Sequence, residues 1–265
     1  MNSPDTDPIA RIADALDRIA PPAPPEADLA RGDHFRWDGQ RLAQVSAGSA
    51  LALDRFVGVD GQKAALMQNV GALAASGAAH DMLLWGARGM GKSALVRSVS
   101  AAQSVALVQT AGDQLASLPA LFDRLRRAAR PFLLFIDDLA FAATDPSVRL
   151  LRSVLDGGIA ERPANVRLAV TSNHRHLVER EATDLRHSRD SADDQLALVD
   201  RFGLVLGFHA PDQPTYLEMV RRHLDAEGLP FSQEDAIAFA LARGGRSGRT
   251  AWHYRTELLT RKAKA

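Results

Sequence analysis

Residues 86–93 have the types and the spacing needed to hold a chain of phosphates. They read Gly-Ala-Arg-Gly-Met-Gly-Lys-Ser, which is the pattern G-x-x-x-x-G-K-[ST]. Glycines let such a loop fold tightly, so that successive backbone N–H groups and the N-terminus of the following helix face the anion. The apolar run Met82 to Trp85 precedes the loop, and a helical pattern follows it. The spacing predicts that Lys92 contacts the β- and γ-phosphates of a nucleotide and that the Ser93 hydroxyl binds Mg²⁺.

Polar side chains follow two later apolar runs. Residues 132–136 are all apolar and lead into Asp137 and Asp138, and the run 166–173 ends at Asn173. The carboxyl ends of buried parallel strands open onto the ligand site. We therefore predict that Asp137 completes the Mg²⁺ shell and that Asp138 positions or deprotonates an attacking water. Asn173 would hydrogen-bond that water beside the γ-phosphate, although Ser-Asn is also common in turns.

Apolar runs of strand length alternate with segments of helical period in the middle of the chain, which is the pattern of a parallel sheet flanked by helices. Strands are predicted at 82–85, 106–109, 132–136, 166–173 and 204–208. Helices are predicted at 61–76, 115–128 and 146–155. From Pro211 onward the period is helical only, so a small lid of three helices is predicted. The chain is thus predicted to be α/β, with an extension at 1–54, an α/β domain at 55–210 and the lid at 211–265.

The extension offers little chemistry. Residues 8–20 have the period of a short amphipathic helix. The prolines at 21–25 predict a stiff, extended spacer. Phe35 and Trp37 are the predicted apolar anchors of residues 26–54, to which we assign no chemistry.

Two segments of the α/β domain leave alternatives open. Val57 and Gly58 lie one helix upstream of the phosphate loop, so either their backbone contacts the nucleotide or they form a simple loop. Residues 178–198 are rich in Glu, Asp and Arg and poor in large apolar residues. This composition predicts a solvated insertion.

Composition limits the function classes. Of 265 residues, 46% are hydrophobic and 24% are charged, and there is no cysteine, which excludes disulfides and thiolate metal sites. No apolar stretch approaches the ~20 residues needed to span a bilayer, and Asp5 and Asp7 argue against a secretory signal. We therefore expect a cytoplasmic protein without a membrane partner. Net charge is +0, so binding to nucleic acid would need a local basic patch. The arginines between 124 and 130 form one, but such a cluster is also typical of a solvated helix face.

The order of these motifs resembles that of an AAA+ ATPase, from about residue 56 to the C-terminus. The motifs are the phosphate loop, the acidic strand end, the Ser-Asn strand end, Asp200-Arg201-Phe202 and the helical lid. In detail the sequence is similar to a family of small bacterial AAA+ proteins of unknown cellular role. The residues that carry this similarity are 83–93, 137–139, 172–177, 200–204 and 244–249. The resemblance implies a five-stranded parallel P-loop NTPase sheet that binds ATP with Mg²⁺.

The resemblance also implies roles for single residues. Asn173 matches the sensor-1 position, and Arg201 matches the arginine finger that acts on the nucleotide of a neighbouring copy. Arg249 is the better match to the sensor-2 arginine of the lid, with Arg246 second. The loop residues predicted to contact ATP are Gly86, Ala87, Arg88, Gly89, Met90, Gly91, Lys92, Ser93 and Ala94.

Two departures from the wider superfamily limit the expected activity. The acidic pair is Asp137-Asp138 rather than the usual Asp-Glu, and the shorter second side chain predicts slow or partner-stimulated hydrolysis. Residues 111–114 lack the aromatic-apolar-Gly signature of unfoldase pores, which argues against threading of a polypeptide.

Several classes of function remain open on these residues. The first is a Mg²⁺-dependent ATPase that assembles as a homo-oligomer through Arg201 and remodels an unidentified protein partner. The second is a nucleotide-gated binding or assembly module with little turnover. The third is a loader or initiator acting on a nucleic-acid complex, because residues 200–203 also resemble branch-migration motors; the neutral charge argues against it. A P-loop kinase is the weakest option, since the sequence has no separate acceptor-site signature. The presence of Asp138 and Arg201 favours turnover.

Overall fold

The computed structural model describes residues 7–19, 26–46, 48, 50–139, 146–157, 162–173 and 197–263. Its strands are β1 (His34–Trp37), β2 (Leu42–Gln44), β3 (Met82–Gly86), β4 (Ala106–Thr110), β5 (Phe132–Ile136), β6 (Val166–Thr171) and β7 (Leu204–Phe208). Its α-helices are α1 (Pro8–Ile19), α2 (Asp60–Ser76), α3 (Lys92–Ala102), α4 (Leu118–Leu125), α5 (Pro146–Leu155), α6 (Gln213–Asp225), α7 (Gln233–Ala242) and α8 (Gly248–Lys262). Short 3-10 helices span Leu53–Arg55 and Gly112–Ser117. None of the described helices is long and apolar enough to cross a membrane.

Three of the sequence predictions fall on residues outside these ranges. They are the proline spacer at 21–25, residues 174–177 of the Ser-Asn motif, and the solvated insertion as far as residue 196. They stay predictions.

The sheet runs in the order β2-β1-β4-β5-β6-β3-β7. β1 and β2 pair antiparallel, and every other neighbouring pair is parallel. The five strands predicted from apolar runs are adjacent in this order, from β4 to β7, so the α/β class with a parallel sheet is confirmed. Two further strands, which the apolar runs did not predict, extend the seven-stranded sheet beyond β4.

The additional strands come from the segment to which the sequence assigned no chemistry. Phe35 and Trp37 are buried, as expected of anchors, whereas Arg36 between them is exposed. An alternation over so few residues does not predict a strand by itself. Pairing with β4 supplies the missing information, since Phe35 lies beside Val108 in a parallel register. The Trp37 indole then donates to Ser117 Oγ at 2.7 Å, which joins β1 to the segment after β4.

The strand order brings three carboxyl ends together. β3 lies between β6 and β7, and β6 lies between β5 and β3. Although β4 follows β3 in sequence, it lies on the far side of β6 and β5, so the winding of the chain reverses beside β3. Ligands of open α/β sheets bind at such a point. The phosphate loop after β3 therefore lies next to the polar ends of β5 and β6.

The central strands are buried on both faces. In β3, Met82 and Leu84 pack in one apolar cluster, and Leu83 and Trp85 pack in a second cluster on the opposite face of the sheet. A strand covered by helices on both sides reads as a continuous apolar run rather than an alternation. This is why the sequence showed these strands so clearly.

The lid consists of α6, α7 and α8. Asp212, Ser232 and Ser247 cap these helices, each accepting a hydrogen bond from the backbone N–H three residues later. Tyr216 of α6 and Tyr254 of α8 are buried in the same apolar cluster as α2 and α3. The lid therefore packs on the α/β domain through a shared core.

One predicted helix is divided in the structure. The sequence predicted a helix over 115–128, whereas a 3-10 helix covers Gly112–Ser117 and α4 covers Leu118–Leu125. Pro119 lies in the first turn of α4, where a residue without an N–H costs nothing but cannot continue a preceding helix. Proline thus sets the start of α4.

Asp81 joins two strands below the site. Its side chain is buried; Oδ1 accepts a hydrogen bond from the Leu168 backbone N–H at 2.8 Å, and Oδ2 pairs with Arg162. Removing one partner of a buried ion pair leaves the other charge uncompensated.

Replacing Asp81 by Ala should therefore lower the free energy of unfolding by about 2 kcal/mol or more. Urea denaturation followed by circular dichroism measures this difference. Asp123→Ala is the matched control, because Asp123 is exposed and its 3.1 Å ion pair with Arg126 lies at the surface; it should change stability by less than about 0.5 kcal/mol. Equal losses in the two variants would contradict the structural role of Asp81.

Candidate functional site

The phosphate loop joins the end of β3 to the start of α3. Gly86 has a φ of 120°, and a Cβ built there would lie 2.1 Å from the Phe208 carbonyl oxygen. The next residue, Ala87, donates its N–H to the same Phe208 oxygen at 2.8 Å. A side chain at position 86 would therefore displace the loop from β7. At the other end of the loop, Gly91 caps α3 in the left-handed conformation, with a φ of 86°.

Lys92 is the first residue of α3, and it is 6% exposed. Its Nζ donates to the carbonyl oxygens of Gly86 at 2.8 Å and Ala87 at 2.9 Å, and to Asn173 Oδ1 at 3.0 Å. Burial lowers the pKa of this amine to about 8, against the opposing effect of the carboxylates of Asp138 and Asp137. The acceptors that touch the amine are all neutral, so a bound phosphate would supply a negative charge where the protein contacts do not.

Ser93, Asp137 and Thr171 form a cluster of oxygen atoms beside this amine. Ser93 Oγ donates to Asp137 Oδ1 at 2.5 Å, and Thr171 Oγ1 donates to the same oxygen at 2.6 Å. Among the described residues, no group of three or more His, Cys, Asp or Glu side chains could hold a metal. Mg²⁺ fits such a site because it binds through one or two protein oxygens and takes its other ligands from water and phosphate. The cluster therefore suits Mg²⁺ with a nucleotide.

Thr171 is a site residue that the sequence reasoning missed. Besides contacting Asp137, its Oγ1 accepts a hydrogen bond from the Asp138 backbone N–H at 2.9 Å. Its place at the end of β6, directly before the Ser-Asn pair, was the available signal. One hydroxyl thus orients both acidic residues.

Asn173 links Lys92 to Asp138. Its Oδ1 accepts from Lys92, and its Nδ2 donates to Asp138 Oδ1. Asp138 has a φ of 55°, a left-handed conformation that Asp tolerates better than most residues. The structure thus brings together the predicted cation, amide and carboxylate at neighbouring strand ends.

Of the two lid arginines that were predicted to contact the nucleotide, Arg249 lies at the phosphate loop. Its backbone N–H donates to the Gly89 carbonyl oxygen at 2.9 Å. A Cβ built on Gly89 would lie 3.0 Å from both Arg249 Cβ and Ser247 Oγ. Arg246 instead lies 3.5 Å from Gln213 Oε1 and lines a small pocket within the lid. The structure therefore places Arg249, but not Arg246, at the phosphate loop and the cavity.

A cavity of about 810 Å³ runs between the phosphate loop, the segment before α2 and the lid. The predicted site residues that line it are Val57, Gly89, Met90, Gly91, Lys92, Ser93, Ala94, Asp137, Asp138, Asn173 and Arg249. The lining residues that the sequence did not predict include Arg55, Arg97, Thr171, His223, Trp252 and Arg255. No motif marks most of these residues, which come from separate parts of the chain.

Gly58 faces the lid rather than the cavity. A Cβ built there would lie 2.5 Å from Thr215 Cγ2, at a φ of 72°. Arg88 is exposed at the tip of the loop. A nucleotide contact of the Gly58 backbone and of Arg88 remains a prediction.

Arg201 does not line the cavity of its own chain. Its Nε donates to Asp156, and its Nη1 donates to the Ala197 carbonyl oxygen. Hydrogen bonding to Asp156 raises its pKa above the usual range for arginine. The guanidinium is therefore held at the surface, and its predicted action on a neighbouring copy remains a prediction.

The fold and this order of motifs are those of the AAA+ type of P-loop protein. Residues 30–262 match the family described as Protein of unknown function (DUF815), and the chain belongs to that family. The predicted resemblance to a family of small AAA+ proteins of unknown role is thus confirmed. No curated protein matches the chain.

Solved structures of RuvB from Thermotoga maritima share the fold. The structure described as a Holliday junction branch migration motor matches with a TM-score of 0.52 and 20% sequence identity, over 77% of this chain and 63% of RuvB. A variant of the same protein matches with a TM-score of 0.55 and 20% identity, over 81% of this chain and 67% of the variant. The chain thus spans about 63% of the first of these relatives, and at this identity the similarity shows the fold alone.

Replacing Thr171 by Val should weaken the Mg²⁺-dependent part of ATP binding about 10-fold, because the carboxylate of Asp137, which is predicted to bind the metal, loses its orienting hydroxyl. Titration calorimetry with ATP, in Mg²⁺ and in chelator, separates this part from metal-free binding. Thr110→Val is the control, since Thr110 also ends a central strand and its buried Oγ1 has no hydrogen-bond partner within the described part of the chain. Equal losses in Mg²⁺ and in chelator would contradict the assignment.

Proposed function

We propose that this chain binds ATP with Mg²⁺ in the cavity, hydrolyses it, and uses the nucleotide state to remodel an unidentified protein partner. The observation that carries the proposal is the continuous set of contacts from Lys92 through Asn173 to Asp138. These contacts join a buried cation, an amide and a carboxylate beside the glycine-rich loop, which supports the proposal. We further propose functional units at 1–54, 55–210 and 211–265.

In the proposed reaction each group has a separate task. The loop N–H groups and Lys92 would bind the β- and γ-phosphates, and Ser93 and Asp137 would hold Mg²⁺, which when bound would neutralise part of the phosphate charge. Asp138 orients the attacking water and accepts its proton. Asn173 fixes the Asp138 carboxylate. Because this carboxylate is one methylene shorter than that of Glu, we propose slow or partner-stimulated turnover.

Contact between the lid and the phosphate loop supports coupling to a partner. The Arg249 N–H binds the Gly89 carbonyl directly, so a change in loop geometry is passed to the first turn of α8. The Arg249 side chain lines the cavity and would contact the γ-phosphate in the ATP state. A ligand shifts the equilibrium between two conformations only by the difference between its binding free energies for them. The γ-phosphate, which ADP lacks, would provide that difference.

We propose that the chain forms a homo-oligomer in which Arg201 completes the site of the next copy. Two observations support this proposal. Arg201 does not line the cavity of its own chain, and Asp156 holds its guanidinium at the surface, where a neighbouring copy could contact it. Arginines supplied by a neighbouring chain can accelerate nucleotide hydrolysis by about 10³ to 10⁵. A head-to-tail contact of this kind closes into a ring or continues as a helix.

A nucleic-acid complex as partner has less support. Within the arginine cluster, Arg124 pairs with Glu26 at 3.0 Å, and Arg130 pairs with Asp33 at 2.9 Å. These pairs join α4 and the segment after it to the N-terminal segment, and the net charge of +0 gives the chain no general attraction to nucleic acid. A nucleotide-gated assembly module with little turnover remains the alternative function. We also propose a cytoplasmic location, because the chain has no cysteine.

Lys92→Ala should abolish ATP binding, because the buried charge that faces the phosphates is lost. Asp138→Asn should bind ATP within a few-fold of wild type while hydrolysis falls by about 10² or more, since the water-activating carboxylate is lost. Titration calorimetry and phosphate release measure the two effects. Lys262→Ala is the control, because Lys262 is exposed at the end of α8 and does not line the cavity. Wild-type affinity in a folded Lys92→Ala variant would refute the site.

Arg201→Ala should bind ATP normally and hydrolyse it slowly, and mixing it with Asp138→Asn should restore part of the activity. Mixed interfaces pair an intact Asp138 with an intact Arg201 from the neighbour. Phosphate release is measured against the mixing ratio. The control uses Arg261→Ala in place of Arg201→Ala, because Arg261 is an exposed lid arginine. Activity per chain that is independent of concentration, with a monomeric mass in ATP, would exclude the action in trans.

A further inference from the structure

Arg246, which the sequence predicted at the nucleotide, lines a separate pocket in the lid. This pocket has a volume of about 200 Å³, and its other lining residues are Ile237, Ala240, Leu241 and Gly245. The exposed Arg246 guanidinium lies 3.5 Å from Gln213 Oε1, which is longer than an ordinary hydrogen bond. The pocket thus combines an apolar wall with a weakly bound cation.

The pocket lies on α7, whose residues 236–242 are all apolar. Ala236 and Ala240 are buried in the core, whereas Leu241 is 77% exposed. Ala238 and Ala242 are exposed as well. A helix that is hydrophobic all round is normally buried, and contiguous exposed apolar patches mark interaction sites. We call this outer side of α7, with Ile237, Ala238, Leu241, Ala242 and Arg246, the α7 surface.

The N-terminal helix α1 has a matching surface. Ile9, Ile12, Leu16 and Ile19 recur at helical spacing, and the side chains of Ile9 and Ile12 are 74% and 60% exposed. A helix of 12 residues is marginal in water unless its apolar side packs on a partner. An amphipathic helix that lies in an apolar groove is a common mode of recognition. The two apolar surfaces of the chain are therefore suited to each other.

Charges at the ends of the two helices favour one orientation. α7 has Glu234 and Asp235 in its first turn, and Arg246 follows its C-terminus; all three are exposed. In α1, Arg11 precedes Asp17, and at about 100° per residue these two positions flank the apolar stripe on opposite sides. If the helices run parallel, Arg11 lies near the two acids and Asp17 lies near Arg246.

The strand order favours the α7 surface of a second copy. After α1 and residues 20–25, Glu26 pairs with Arg124 at 3.0 Å, and the Ala27 backbone N–H donates to Leu42 of β2 at 3.3 Å. β2 is one edge of the sheet, whereas the lid contacts the loop after β3, five strands away. Strands stand about 4.8 Å apart, so this distance is about 24 Å. The intervening residues 20–25 span about 19 Å in the predicted extended form, so a neighbouring lid is the more accessible one.

We propose that α1 of one copy docks on the α7 surface of the next copy, with its apolar stripe against the pocket and Asp17 beside Arg246. The contact joins different surfaces of two copies, so it is heterologous and links the copies head to tail. The inference rests on the proposed assembly and adds to it a contact that is separate from Arg201. It gives a role to the segment before the first strand.

Because the chain has no cysteine, single introduced cysteines can report this contact. An Ile12→Cys chain with a size tag is mixed with an untagged Leu241→Cys chain in ATP and Mg²⁺, treated with a short bismaleimide and separated on a denaturing gel. We expect a tagged–untagged dimer. Thr256→Cys in place of Leu241→Cys is the matched control, because Thr256 is exposed on α8 and does not line the pocket. It should give only background dimer.

A charge exchange tests the orientation. Arg246→Glu in the Leu241→Cys chain should lower the dimer yield about 2- to 5-fold, the ratio expected for an exposed ion pair. Asp17→Arg in the tagged chain should then restore the yield, which it could not do if Arg246→Glu had merely disturbed the lid. An unchanged yield with Arg246→Glu, or no recovery with Asp17→Arg, would overturn the contact between α1 and Arg246.

Absence of the tagged–untagged dimer would overturn the docking itself. A cross-link confined to single chains that carry both Ile12→Cys and Leu241→Cys would show that α1 binds its own lid, and would also overturn the proposal. Mixing Arg201→Ala with Asp138→Asn tests the assembly independently. If that mixture regains activity while no dimer forms, only the α1 contact is wrong; if both experiments fail, the proposed assembly is wrong too.

Discussion

The buried amine of Lys92 is the interaction on which the site depends. Because water reaches little of it, the protein must supply its hydrogen-bond acceptors, and these come from the end of β3 and from Asn173 after β6. One side chain thereby fixes the phosphate loop against the neighbouring strand. Electrostatic attraction is strong where water is excluded, so this amine, which touches only neutral acceptors, favours an anion in the adjacent cavity.

The lid is joined to this centre through backbone atoms. The first turn of α8 binds the Gly89 carbonyl, and a side chain at residue 89 would be crowded by Arg249 and Ser247 at a φ of 77° that favours glycine. The lid core is continuous with the core of the α/β domain. A local rearrangement of the loop would thus be carried into a packed element rather than absorbed by a flexible one, and the proposed coupling of nucleotide state to the lid depends on this contact.

In the proposed reaction, a single chain holds most, but not all, of the charges that phosphoryl transfer would use. Lys92 and Arg249 line the cavity, whereas Arg201 is bound to Asp156 at the surface. In the proposed assembly that ion pair must open before Arg201 can reach a neighbouring site. An exposed ion pair contributes little to stability, so its exchange for a phosphate contact is energetically accessible.

The sequence by itself determined the five central strands, the phosphate loop, the acidic and amide strand ends and the three lid helices, because each is specified by a local pattern. Only the tertiary structure decided the edge strands, the role of Thr171 and the placement of His223. Phe35 becomes part of the sheet because Val108 lies beside it, and His223 lines the cavity because the lid folds back over the loop. These features depend on contacts between residues far apart in the chain, and neither periodicity nor motif spacing records such contacts.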